Sequence, residues 1–177
     1  MGARFSTPLA AAQPQLGVIE KTGRNDGLPF ERYVKEINAG RLKRVPWCAY
    51  FVVWCYHEAG IVIPGNAWKL GSVDYLEGQA RLHGEWAKAR HVLAWHKFRV
   101  DTGWPAPSDI VFFGDRGDSD SKLTGRHCGL VEFARGDKVI TIEGNKSNRV
   151  KRGSYRLDDP RITGYGRFHG SDAASDA

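Results

Sequence analysis

The stretch Pro46-Trp47-Cys48-Ala49-Tyr50-Phe51-Val52-Val53-Trp54-Cys55 decides the fold, because almost every one of its residues is apolar. Proline is tolerated in the first turn of a helix, and Gly60 supplies a left-handed end, so the sequence predicts a helix that opens at Cys48. A helix that is apolar all round packs in the centre of a domain. A cysteine in its first turn faces unpaired N–H groups and the positive end of the helix dipole, and both favour the thiolate. Cys48 is therefore a candidate nucleophile.

Length and charge limit the remaining possibilities. The 177 residues predict a single domain, residues 1–169, followed by a polar tail, 170–177, that we expect to be disordered. A net charge of +6 suits an anionic partner, such as nucleic acid, anionic lipid or an acidic wall polymer. The basic residues are scattered and form no nucleic-acid motif, so no nucleic-acid partner is predicted. No stretch is long enough to span a membrane, the N-terminus is a poor signal peptide, and we expect a monomer.

The three cysteines predict neither a disulfide scaffold nor a structural zinc site, because none lies in a Cys-x-x-Cys pair. Cys48 and Cys55 are two helical turns apart, which is too far for a disulfide, and Cys55 is most simply a core residue. Cys128 follows His127 directly, so strand alternation sends it to the opposite face of its strand, where we expect it to pack.

The order of predicted elements indicates the α+β class, with helices first and an antiparallel sheet of about five strands after them. Three segments are predicted to be helical besides the Cys48 helix: 7–21 with a boundary at Pro14, Phe30–Ile37, and Tyr75–Arg90 within a helical insertion at about 65–107. The predicted strands are Ile110–Phe113, His127–Ala134, Lys138–Asn145, Val150–Tyr155 and Ile162–Phe168.

The register of one predicted hairpin decides whether a base and an orienting carboxylate can meet. A two-residue turn pairs His127 with Lys146 and leaves Glu143 facing away. A three-residue loop, Arg135 to Asp137, pairs His127 with Asn145 and makes Glu143 the diagonal neighbour of His127, within side-chain reach. We infer the three-residue register, although a bulge would shift either pairing. In that register His127 takes the proton of Cys48, Glu143 orients the imidazole, and Asn145 adds a polar group nearby.

The same residues, with their neighbours, resemble a known family. Pro46–Val52, Ser108–Phe113, His127–Val131 and Ile142–Asn145 are similar, in this order, to the CHAP family of cysteine, histidine-dependent amidohydrolases and peptidases. The resemblance runs from about residue 15 to 168. It implies a papain-like core and carries the catalytic set of the family to Cys48, His127, Glu143 and Asn145. Ser108 stands where the family leads us to expect glycine.

The resemblance implies a peptidoglycan hydrolase, endolysin-like or effector-like, that cleaves an amide bond of the cell-wall peptide without a required cofactor. Two alternatives stay open: a non-catalytic papain-like module that binds cell wall or a partner protein, and a cysteine protease that acts on proteins. With no signal peptide, we expect synthesis in the cytoplasm and export by a holin, a phage particle or a secretion system, with an immunity or delivery protein as a conceivable partner. Some relatives bind calcium, but the three aspartates of 115–120 are too few oxygen ligands, so we expect a solvated acidic loop there.

Overall fold

Helix α3, Cys48–Glu58, is the centre of the computed structural model, which describes residues 3–38, 44–97, 101–114 and 126–170. Ten of its eleven residues are buried, which confirms the prediction of a central helix. The sequence predicted Pro46 in the first turn of the helix. Trp47 is the N-cap, so Pro46 instead lies just before the helix. The chain leaves the helix through Gly60, whose φ of 76° is the predicted left-handed end. The predicted tail lies outside the described residues from position 171 onward.

The other helical elements range from single turns to one helix that is as long as α3. Of the helix predicted over 7–21, only the part before Pro14 is an α-helix; Pro14 itself lies in a 3-10 turn, and the prediction is wrong beyond that turn, where turns and one bridge between Ile19 and Arg149 follow. The helical elements are α1 (Pro8–Ala12), a 3-10 turn (Gln13–Gln15), a π-helical turn (Phe30–Val34), α2 (Lys35–Asn38), α4 (Val73–His83) and α5 (Ala89–Lys97).

In the described part of the chain, the sheet is antiparallel throughout and has six strands, one more than predicted. The α+β prediction is confirmed, and a central helix packed against an antiparallel sheet is consistent with a papain-like core. The strands are β1 (Glu85–Lys88), β2 (Ile110–Phe113), β3 (His127–Arg135), β4 (Lys138–Glu143), β5 (Lys151–Arg156) and β6 (Ile162–Arg167), in the spatial order β1-β6-β2-β3-β4-β5.

The additional strand, β1, corrects the prediction of a helix from Tyr75 to Arg90 and of a wholly helical insertion at 65–107. Helix α4 ends at His83, and the chain then pairs with β6 before α5 begins. The cause is a contact distant in sequence. The Trp86 ring lies where a Cβ at Gly164 would be, with only 2.3 Å between them, so the glycine makes room for the tryptophan. Local periodicity could not reveal this pairing.

Different helices pack on the two faces of the sheet. Helices α3 and α4 pack on one face, and their buried side chains form a single cluster with Ile110, Cys128 and Leu130 of the sheet. A smaller cluster on the other face includes Val92 of α5 together with Val111 and Val131. Because neighbouring residues of a strand point to opposite faces, each strand of the sheet centre contributes to both clusters.

Candidate active site

The β3–β4 hairpin reaches the predicted pairing by a different route. Arg135 pairs with Lys138, so the turn has two residues and the predicted three-residue loop is wrong. A bulge at Glu132 then inserts one residue into β3, after which Leu130 pairs with Ile142. Continued toward the strand ends, this register places His127 opposite Asn145. The bulge therefore restores the pairing that the longer loop would have given.

His127 and Glu143 are in direct contact. The imidazole Nε2 lies 2.8 Å from Glu143 Oε2, and the carboxylate has no exposed surface whereas a quarter of the histidine side chain is exposed. Burial alone would lower the pKa of His127. Hydrogen bonds and charge from Cys48 and Glu143 outweigh that effect and raise the pKa to about 9. Glu143 thus faces His127, as the sequence predicted, and leaves Nδ1 as the ring nitrogen available to the thiol.

Three side chains besides His127 bind the Glu143 carboxylate, and sequence reasoning had assigned none of them to the site. Thr141 donates from Oγ1 at 2.6 Å, Lys146 from Nζ at 2.9 Å and Tyr155 from its hydroxyl at 2.8 Å. Burial opposes ionisation of Glu143, but His127, Thr141 and Lys146 together lower its pKa to about 2. The carboxylate is therefore a stable anion beneath the histidine.

Cys48 lies at the start of α3 with only 6% of its surface exposed. A hydrogen bond from the Cys128 thiol is the strongest influence on its pKa; His127 acts in the same direction, and the two outweigh burial. The pKa of Cys48 is therefore well below that of an ordinary thiol, and the first-turn N–H groups of the helix also favour its anion. A thiolate beside an imidazolium is the arrangement that attacks a carbonyl carbon and then protonates a leaving amine.

Cys128 does more than the packing that the sequence predicted. It is fully buried in the cluster that contains Cys48, on the face of β3 opposite to His127, where its thiol interacts with that of Cys48. Burial, with the negative charge of Cys48, raises the pKa of Cys128 well above its ordinary value. Cys128 is therefore the protonated donor of this thiol pair.

Asn145, the fourth predicted site residue, is turned toward the start of α3. In the amide orientation that satisfies its neighbours, it donates to Glu20 Oε1 at 3.2 Å and accepts from the backbone N–H of Trp47 at 3.2 Å. Buried Glu20 also accepts from Trp47 Nε1 at 2.7 Å and from the backbone N–H of Asn25 at 2.8 Å. These contacts connect the end of β4 to the residue before Cys48. The segment after Glu20 contains Gly23 and Gly27, which favour a turn, but nothing in the sequence indicated its contact with Trp47.

A groove of about 410 Å³ lies near the start of α3. Its walls include Pro46, Tyr50, Trp68, Lys69 and Tyr75. Two residues separate Pro46 from Cys48, so their Cα atoms are at most about 7 Å apart. Trp68 is 43% exposed, and the Lys69 ammonium lies 5.4 Å from the centre of its ring.

Contacts on both sides of Trp68 hold the aromatic wall of this groove. The Tyr50 hydroxyl donates to the Trp68 carbonyl at 2.8 Å, and the Trp68 backbone N–H donates to the Asn66 side chain at 3.2 Å. Helix α4, which carries Tyr75, is joined to the histidine strand because Arg126 forms ion pairs with Asp74 and Glu77. Arg126 therefore ties a helix of the groove wall to the start of the strand that carries His127.

The described residues contain neither a metal-binding cluster nor a membrane-spanning helix. Within 3–38, 44–97, 101–114 and 126–170, no three His, Cys, Asp or Glu side chains are grouped so as to hold a metal ion. The acidic loop at 115–120, considered above for calcium, lies outside the described residues. None of the helices in the described part of the chain has the length and hydropathy needed to cross a membrane.

Comparison with known families gives one match. The family model described as the CHAP domain matches residues 40–145, which is more than half of the chain and includes Cys48, His127, Glu143 and Asn145. Neither the comparison with curated proteins nor the comparison with solved structures found a match.

Proposed function

The chain belongs to the CHAP domain family, whose members are generally amidases and peptidases of peptidoglycan, and we propose that it hydrolyses an amide bond of the cell-wall peptide with Cys48 as nucleophile. One observation carries the proposal: the thiol at the start of α3 interacts with His127, whose other ring nitrogen lies 2.8 Å from the buried Glu143 carboxylate. Nucleophile, base and orienting group thus lie in one chain of contacts, which is the arrangement of a cysteine acyl-transfer site.

In the first half of the reaction, the Cys48 thiolate attacks the scissile carbonyl carbon. A C–S bond forms and negative charge develops on the carbonyl oxygen, and we assign its stabilisation to the backbone N–H of Cys48. The His127 imidazolium then gives its proton to the amide nitrogen, and the C–N bond breaks. The amine leaves, and the acyl group stays on Cys48 as a thioester.

In the second half, His127 is neutral and acts as the general base. It takes a proton from a water molecule, which attacks the thioester carbon, and the C–S bond breaks to release the acid and the Cys48 thiolate. Glu143 keeps its negative charge throughout and stabilises the imidazolium whenever it forms. Asn145, through its contacts with Trp47 and Glu20, holds the start of α3, so we assign it the positioning of Cys48 and not of His127.

The groove beside Pro46 gives a place for the substrate next to the bond that is cut. Its aromatic walls suit the alkyl and methyl groups of a stem peptide, and the Lys69 ammonium suits a free carboxylate on that peptide. We assign the groove to a carboxylate-bearing residue of the stem. Lys69→Met should raise the KM for a soluble muropeptide with a free carboxylate and leave the KM for its amidated form unchanged. Lys88→Met, which alters an exposed lysine of β1, is the matched control.

The main test is digestion of purified sacculi, followed by mass spectrometry of the released fragments. The wild-type chain should release new amine and carboxylate ends at one kind of amide bond. Cys48→Ala should release none while its circular dichroism is unchanged. Cys55→Ala, which changes a buried cysteine two turns along the same helix, should still digest the sacculi.

Alkylation separates the enzyme from a binding module of the same fold. A low-pKa Cys48 should react with iodoacetamide near neutral pH, far faster than Cys55, whose pKa is raised by burial. A chain that binds sacculi, is not alkylated at Cys48 and releases no fragments would be a binding module, and the proposal would be wrong. Release of peptides from unrelated proteins, with intact sacculi, would indicate a general cysteine protease.

A further inference from the structure

The nucleophile has a second thiol as its neighbour. Residues 127 and 128 are consecutive in β3, so His127 and Cys128 point to opposite faces of the strand. Cys48 is the first residue of α3, and it lies where the side chains of both His127 and Cys128 can reach it. Cys128 belongs to the same buried cluster as Cys48, on the face of β3 that α3 covers, and an interaction with its thiol is the strongest influence on the Cys48 pKa. Packing alone would need only a small apolar side chain at this position, whereas the side chain present is a second thiol.

We propose that Cys48 and Cys128 form a reversible disulfide when Cys48 meets a peroxide, so that Cys128 acts as the resolving thiol of the nucleophile. The assignment of Cys48 as the nucleophile rests on the proposed function, but the formation of the disulfide does not require peptidoglycan. The site is thus a redox modification site whose reagent class is hydrogen peroxide or a small organic peroxide.

The chemistry balances in two steps. The Cys48 thiolate attacks one peroxide oxygen, the O–O bond breaks, and the products are a sulfenic acid and, after proton uptake, water. The Cys128 sulfur then attacks the Cys48 sulfur, the S–O bond breaks, and the thiol proton leaves with the hydroxyl group as a second water. Two thiols and one hydrogen peroxide give one disulfide and two waters; the sulfurs lose two electrons and the peroxide gains them.

The charge on Cys48 determines when Cys128 can react. While Cys48 is a thiolate, its negative charge helps to keep Cys128 protonated. Conversion of Cys48 to a neutral sulfenic acid removes that charge, so the Cys128 proton is lost more readily and its sulfur becomes a better nucleophile. The resolving thiol is therefore inert during hydrolysis and becomes reactive after oxidation.

Cys55 provides the matched control. It is also fully buried and free, but it lies seven residues further along α3, about 10 Å along the helix axis at 1.5 Å per residue. That separation exceeds the reach of a disulfide to Cys48. Removal of Cys55 should leave the redox behaviour of the site unchanged.

The test uses the purified full chain, treated with one equivalent of hydrogen peroxide and then with dithiothreitol. Peptide mapping under non-reducing conditions should find a Cys48–Cys128 disulfide in the wild type, and alkylation of Cys48 should disappear with peroxide and return to its starting level with dithiothreitol. In Cys128→Ala, a slight excess of peroxide should carry Cys48 on to sulfinic acid, and the loss of alkylation should persist after reduction. Cys55→Ala should behave as the wild type.

Two outcomes would overturn the inference: a wild-type map without the Cys48–Cys128 linkage, or recovery in Cys128→Ala equal to that of the wild type. If Cys128→Ala does not fold, Cys128→Val takes its place in the comparison of recovery after reduction. The wild-type map needs no variant and tests for the disulfide in either case. Neither readout measures wall digestion. A protein that forms the disulfide but digests no sacculi would contradict the proposed function and leave the redox pair intact.

Discussion

Replacement of Glu143 by glutamine tests the geometry of the site most directly, because it keeps the shape of the side chain and removes its charge. The carboxylate is fully buried and lies 2.8 Å from His127 Nε2. A rise of the His127 pKa from 6.5 to about 9 corresponds to about 3 kcal/mol in favour of the imidazolium, at about 1.4 kcal/mol per pKa unit. Cys48 supplies part of this stabilisation and burial opposes it, so about 3 kcal/mol gives the order of magnitude of the Glu143 contribution.

The expected result follows from that magnitude. Each 1.4 kcal/mol or so changes a rate tenfold, so Glu143→Gln should slow hydrolysis of sacculi by more than tenfold and up to about 100-fold. The pKa of His127 should fall toward its ordinary value, because the imidazolium loses its counter-charge. His127→Ala should be more damaging, because it removes the base itself.

Two measurements check this prediction. One is the rate of fragment release, with Glu132→Gln as the control, since that carboxylate lies in the same hairpin but pairs with the partly exposed Arg152. The other is an NMR titration of His127 in a Cys48→Ser background, with and without Glu143→Gln. If Glu143→Gln and Glu132→Gln have equal rates, and the His127 pKa does not move, Glu143 does not orient the base and the reasoning fails.

The remaining predictions address the surroundings of the site. A Cβ at Gly153 would lie 1.9 Å from Glu143 Oε1, so Gly153→Ala should slow hydrolysis by more than tenfold, whereas Gly78→Ala, with nothing within 4 Å, should not; equal rates would contradict this. The His127–Glu143 pair contributes its full stability between pH 4.5 and 6.5, the ordinary pKa values of the two groups. The Glu143 part is lost as pH falls below 4.5 toward its folded-state pKa of about 2. The His127 part is lost as pH rises above 6.5 through its folded-state pKa of about 9. Melting temperatures should therefore decline on both sides of that interval, and more weakly in Glu143→Gln; parallel curves would refute the linkage. Trp68→Ala should raise the KM for a soluble muropeptide severalfold with little change in kcat, and a fall confined to kcat would exclude the groove as a binding site. Because the net charge is +6, digestion of sacculi that carry anionic polymer should slow as salt rises, while cleavage of a small neutral fragment should not.

The sequence predicted the parts of the fold that depend on local pattern. Uninterrupted apolar residues identified α3, and alternating or short apolar runs identified β2 to β6. The contact between His127 and Glu143 was also predicted, but through two errors that cancel: the turn is one residue shorter than inferred, and the bulge at Glu132 adds one residue. Bulges depend on contacts across the whole sheet, which a single strand does not encode in its pattern.

The features that could not be predicted depend on contacts between distant segments. Strand β1 exists because Gly164 leaves space for Trp86, some eighty residues earlier in the chain. The role of Asn145 depends on the turn that follows Glu20, whose approach to Trp47 is set by loop packing. The alternation rule correctly placed Cys128 on the buried face of β3, but it could not show that the first residue of α3 lies against that face.

The environment of Glu143 explains how one buried carboxylate can serve a histidine that changes its charge. In the proposed reaction, His127 is an imidazolium before it protonates the leaving amine and neutral immediately afterwards, so its charge cannot neutralise Glu143 at every stage. A buried anion without a partner is costly, and it would take up a proton. Lys146 donates to both carboxylate oxygens, at 2.9 and 3.0 Å, and reaches solvent with a quarter of its side chain, so its own charge is not buried at full cost. Thr141 and Tyr155 donate neutral hydrogen bonds to the same group. Glu143 therefore stays ionised while His127 is neutral, and it is ready to stabilise the imidazolium when water has given up its proton.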